Sequence, residues 1–173
     1  MENIEFDNII SDYKKADMVV IGLGSQLCEK AFDNDNKDKK SILDFYKNIL
    51  DKKNYFIITS HQNNIFDESD INQKRICNPL INDEINQKQW DFYNKWLSAS
   101  LNKNLLILEI GEDFNHPNIF RWPFEKVVFI NQKAKMYRIS DLFYQLPADI
   151  GDRAKSVKIN GMSFVCDLMD YIV

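Results

Sequence analysis

Three short apolar runs set the frame of this chain. They are Met18-Val19-Val20-Ile21, Tyr55-Phe56-Ile57-Ile58-Thr59, and Leu105 to Ile110 with Ile107 and Leu108 between. Each stops abruptly at a glycine or a polar segment. Runs of this length without polar alternation suit strands covered on both faces, as in a parallel sheet. Helical spacing fills the sequence between them. Phe6, Ile9, Ile10 and Tyr13 mark an opening helix, and Ile42, Leu43, Tyr46, Ile49 and Leu50 mark a second. Residues 83–101 carry Ile85, Trp90, Tyr93, Trp96 and Leu97, an aromatic stripe that reads first as core. A short helix is expected from the first glycine turn to Phe32, and residues 33–40 read as a solvated surface loop. Residues 117–130 hold a helix or a helix pair. Lys135 to Ser140 and Val157-Lys158-Ile159 are the fourth and fifth strands, and residues 162–173 a closing helix. This alternation predicts an α/β fold: a three-layer Rossmann-like parallel sheet with helices on both faces, in one domain over residues 1–173.

Composition narrows the function classes. The 173 residues fit one domain that can bury roughly two-thirds of its unfolded surface without staples. A formal net charge of -4 argues against nucleic acid as partner, since phosphate binding wants a basic face. Cys28, Cys77 and Cys166 form no CxxC pair, so no zinc site is encoded locally and a reducing compartment is expected. The first residues lack a secretory pattern, and no apolar run reaches the ~18 residues of a membrane helix. The expectation is a cytoplasmic protein with no membrane partner.

A ligand of such a sheet sits beyond the carboxyl ends of the strands, where the strand order reverses. Four polar segments lie at such ends: residues 22–26, 59–66, 111–118, and Ser140 with Asp141. In the first, Gly22 and Gly24 let the backbone turn tightly, and Ser25 or Gln26 can cap a following helix whose free N–H groups favour phosphate. The full GxGxxG is absent, because Leu27 stands last, and no Walker lysine follows. A plain strand-to-helix turn is the competing reading. The second segment, Thr59-Ser60-His61-Gln62-Asn63-Asn64, can hold a sugar or amide, or be a hydrated turn. In the third, Gly111 allows close approach, Pro117 suits a helix start, and Arg121 can pair with phosphate or with Glu112.

Together these segments resemble the Sir2, or sirtuin, family. Gly22-Leu23-Gly24-Ser25 is similar to its GAGxS loop, with Gln26 where the family has serine. Residues 55–66 resemble its strand ending in T-x-N-x-D, with Thr59 in the threonine place. Leu-Leu-Ile-Leu-Glu-Ile-Gly, then Asn115, Pro117 and Arg121-Trp122-Pro123-Phe124, resembles bacterial Sir2-like proteins. The resemblance implies an NAD-binding or ADP-ribose-binding domain, with Gly111 and Ser140 at the adenosine end. His61 and Asn63 stand where the family has the asparagine and aspartate of the nicotinamide end. Neither His61 nor His116 is followed by glycine, so the family's H-G base is missing, and no zinc module or zinc is expected. Asn63 removes a charge, and loss of a base costs ~10²–10⁴-fold. The first expectation is therefore a small-molecule nucleotide-binding module that is degenerate as a deacylase. The alternatives are an NAD-consuming enzyme with His61 as relocated base, and an interaction protein, with Trp90, Trp96 and Trp122 supplying a homo-oligomer face.

Overall fold

The computed structural model describes residues 3–27, 36–50, 52–60, 70–80 and 84–172. Helix α1 (Asn3–Lys15) leads into β1 (Met18–Leu23), and α2 (Asn36–Leu50) into β2 (Asn54–Thr59) and the short β3 (Ile76–Cys77). Then come α3 (Glu84–Ser98), β4 (Leu105–Ile110), α4 (Arg121–Ile130), β5 (Lys135–Ile139), β6 (Ala154–Val157) and α5 (Gly161–Ile172). All six strands are parallel, in the order β3-β2-β1-β4-β5-β6. The chain first builds outward from β1 through β2 to β3. It then returns to the other side of β1 with β4. The order therefore reverses between β1 and β4, and their carboxyl ends border the crevice where open α/β sheets take ligands.

Period-two alternation sorts the strands' side chains into two cores. Val19, Ile21, Ile57, Leu106, Leu108 and Ile139 face Phe6, Ile42, Phe45, Phe164 and Leu168, from α1, α2 and α5. Val20, Phe56, Ile58, Ile107 and Met136 face Tyr93, Trp96, Phe124 and Val128, from α3 and α4. The expected three-layer arrangement is the one found, and the aromatic stripe of α3 is core: Tyr93 and Trp96 pack on Phe56. No helix among the described residues is long and apolar enough to cross a membrane.

Three local readings need correction. The helix α2 begins at Asn36, so residues 36–40 are helical and not loop, while 33–35 lie outside the described residues; lysine is a good helix former. Ser25–Leu27 forms a 3-10 helix where the short helix after the first glycine segment is expected, and the rest of that segment, to Phe32, lies outside the described residues. The last strand is Ala154–Val157, earlier than Val157 to Ile159, because Lys155 and Ser156 face solvent on an edge strand and hide its periodicity. The two-residue β3 lies in a segment with no strand signal. Among residues 117–130, a single helix starts at Arg121, with the Trp122 N–H donating to the Pro117 carbonyl 2.9 Å away.

Candidate functional site

The carboxyl ends of β1 and β4 meet in direct backbone contact. The Gly24 N–H donates to Ile110 O at 2.9 Å, and the Gln26 N–H to Gly111 O at 3.3 Å. A Cβ on Gly24 would lie 2.1 Å from Gly111 O and 2.4 Å from Glu112 Cα, so only glycine fits. The glycine turn is thus a joint between two strands. Its N–H groups at Gly24 and Gln26 hold β4 and are not presented to a phosphate. Gly22 is inside β1, not in the turn, and makes room for Phe120 and Phe124, whose rings a Cβ would meet at 2.6 and 2.7 Å.

Gln26 fills the gap above the joint. Its side chain lies against Gly111, which takes φ 71°, a left-handed conformation open to glycine. Gln26 Nε2 donates to Asp141 Oδ1 at 2.5 Å, and Gln26 Oε1 accepts from the Gly161 N–H at 2.7 Å. The Asn160 side chain accepts from the Met162 N–H at 2.9 Å. The first turn of α5 is therefore capped from within the chain. The phosphate cradle expected over Gly22, Gly24, Ser25 and Gln26 is replaced by this polar closure. Ser25 is half-buried in the 3-10 turn.

The remaining expected residues divide into those fixed in the scaffold and one that is not. Thr59 is buried and donates its hydroxyl to Leu23 O at 3.3 Å, tying β2 to β1. Ser140 is buried and its Oγ accepts from the Phe143 N–H at 3.0 Å. Asn115 is exposed and held by both oxygens of Asp113. Arg121 pairs with Glu109 at 3.2 Å, not with Glu112, and donates to the carbonyls of Phe143 and Gln145. His61 and Asn63 lie outside the described residues.

Glu109 and Arg138 are functional-looking residues that the sequence reading passed over, though each is a charge inside an apolar run. They are directly paired across β4 and β5. Arg138 grips Glu109 with Nε at 2.7 Å and Nη2 at 2.9 Å, reaches Glu125 at 2.8 Å, and donates to Gln145 O at 2.6 Å. Burial pushes the Glu109 carboxyl up, while Arg138 and then Arg121 pull it down. Two cations and two carboxylates thus tie the 143–145 loop down beside the crevice.

Glu112 is different. It is 1 % exposed, and among the described residues no donor meets either carboxyl oxygen with full hydrogen-bond geometry, the Phe114 N–H bearing on it only weakly. Burial, then the charges of Glu109 and Asp113, push its carboxyl up to about 7. Arg121 and the Phe114 N–H draw it back only part of the way. A buried group without partners is costly unless something supplies them. Because the fold favours the acid form, stability is full below Glu112's ordinary value of 4.5, falls as pH rises through about 7, and stays lower above it. Glu112→Gln is expected to remove that decline and to raise unfolding free energy by about 1–3 kcal/mol at pH 8, with little change at pH 4. Urea titrations of both proteins across this range check it; equal pH slopes count against a protonated Glu112.

Two residues further on, Phe114 takes φ 70°, a conformation that costs a side-chain-bearing residue about 1 kcal/mol or more. Its ring sits over the Arg121 guanidinium at 4.7 Å and beside Trp122 and Phe143, yet remains 45 % exposed. The crevice mouth therefore combines a buried carboxyl that has no hydrogen-bond partner among the described residues with a strained, solvent-facing aromatic. A cavity of about 590 Å³ lies elsewhere, lined by Leu43, Tyr46, Lys47, Tyr55 and Asp70, away from the joint. Among the described residues no group of three or more His, Cys, Asp or Glu side chains could hold a metal ion. No protein-family model and no curated protein matches the chain.

Proposed function

We propose that this is a Sir2-like domain that binds NAD, ADP-ribose or a related nucleotide at the β1 and β4 strand ends, and that it does not deacylate. The observation that carries the reading is the Glu112 carboxyl, buried beside the strand-order reversal without a hydrogen-bond partner among the described residues. An ionised carboxylate accepts hydrogen bonds and donates none, so it suits the paired hydroxyls of a ribose. Acidic residues near the switch point of dinucleotide-binding sheets make this contact. It repels phosphate, and the glycine turn has already committed two of its N–H groups to β4. Recognition therefore runs through the ribose, and the anionic part of the ligand lies away from Glu112.

Calorimetric titration with NAD and with ADP-ribose tests the reading. Binding is expected to tighten as pH rises from about 5 to 7 and to level off above, because the ligand needs the ionised form of Glu112. Protons are released on binding near pH 6, visible as a dependence of the heat on the buffer. Glu112→Gln, which loses the charge-assisted bonds, is expected to weaken binding about tenfold or more. No heat at millimolar ligand ends the proposal. Nicotinamide release with acylated peptide, the deacylase assay, is expected to stay at background.

One observation favours a second reading. Gln26 bridges Asp141 and the α5 N-terminus across the place where a nucleotide would enter. A crevice sealed in this way would leave an interaction protein on the same scaffold. A stable homo-oligomer in light scattering, with no nucleotide binding, decides for it.

A further inference from the structure

We infer that the aromatic group of Phe114, Trp122 and Phe143 is a platform on which the flat ring of a ligand stacks. That the ring is a nucleotide base rests on the reading above; the platform itself stands on other observations. Phe114 and Trp122 meet edge to face at 6.4 Å and 83°, and Phe114 and Phe143 at 5.7 Å and 45°. Despite these contacts Phe114 is 45 % and Trp122 52 % exposed. The three aromatics come from the β4–α4 loop, the first turn of α4 and the loop after β5, so they converge only at the carboxyl ends of the strands.

Two features set this cluster apart from scattered surface hydrophobics, which need no explanation. First, Phe114 holds a left-handed backbone without burying its ring. Strain of this kind gathers at ligand clamps, where the surrounding structure fixes it. Second, the platform is rigid from below. The Arg121 guanidinium lies under Phe114 at 4.7 Å and is itself held by Glu109 and by the Phe143 carbonyl. A cation beneath one ring face leaves the ring's open surface for a neutral flat partner. Every base offers such a face, and stacking tolerates any of them.

Adenosine, which has a base and a ribose but no phosphate, is the probe. Titrated into the full chain, it is expected to bind, and Phe114→Gly is expected to weaken it about tenfold or more. Glycine is at ease at this φ, so the variant's melting temperature is expected to hold while binding falls. Trp122→Leu, at an exposed position, is expected to weaken adenosine as well and serves if Phe114→Gly fails to fold. Adenosine affinity within about twofold of the parent in both variants overturns the platform, as does no adenosine binding at millimolar concentration. The two proposals separate cleanly. NAD binding that ignores Phe114→Gly keeps the dinucleotide reading and removes the platform. Adenosine binding that depends on Phe114, with none for NAD, keeps the platform and removes the dinucleotide.

Discussion

Replacing Gly24 by alanine is expected to cost about 3 kcal/mol or more and to leave little folded protein at physiological temperature. The added methyl would stand 2.1 Å from Gly111 O and 2.4 Å from Glu112 Cα. These are backbone atoms of the opposing strand end and cannot rotate away. Relief requires prising β1 from β4, which breaks the bonds from Gly24 N to Ile110 O and from Gln26 N to Gly111 O. Gly151→Ala is the control. Its nearest neighbour is Ala148 O at 3.4 Å, and its backbone is right-handed at φ -55°, so the fold is expected to tolerate it or gain slightly. Urea unfolding followed by circular dichroism compares the two. A Gly24→Ala protein as stable as its parent would show that the joint between the strands is loose.

The second large effect is expected at Arg138. Arg138→Met leaves Glu109 buried with only Arg121, takes the Arg138 donor from Glu125, and leaves the Gln145 carbonyl with only the longer bond from Arg121. Breaking a buried pair by removing one partner costs about 3–5 kcal/mol, chiefly because a charge is left uncompensated. The double variant with Glu109→Leu is expected to lose about 1–3 kcal/mol less than the sum of the single losses, since it removes that charge too. Chemical denaturation of the four proteins gives the coupling directly. Strict additivity would mean that the pair is not an interacting unit.

How much of this could be read in advance varied with burial. The central strands β1, β2 and β4 announced themselves because both faces are covered, which forces continuous apolar runs. The edges were harder. At β6, Lys155 and Ser156 are solvent-facing, and at β3 two residues carry no pattern. Glycine was legible as punctuation, but not its purpose: Gly24 reads equally as a phosphate turn or a strand joint until β4 is placed against it. Arg121 had a plausible local partner in Glu112, yet Glu109 is the one it bonds, because a charge inside a strand has nowhere else to find compensation. That signal, Glu109 and Arg138 interrupting apolar runs, was present in the sequence. The Phe114 backbone left no trace there.

The sequence by itself determined the layers of this protein: hydrophobic period and glycine placement are local properties, and they fix which segments become buried strands and which become covering helices. Tertiary structure alone decided the site. Whether Gln26 closes the strand-end gap, whether Glu112 finds a partner, and whether three aromatics meet above Arg121 all depend on groups far apart in the chain. Hydrogen bonding and burial are satisfied by neighbours in space, and no residue's spacing along the chain records who those neighbours are.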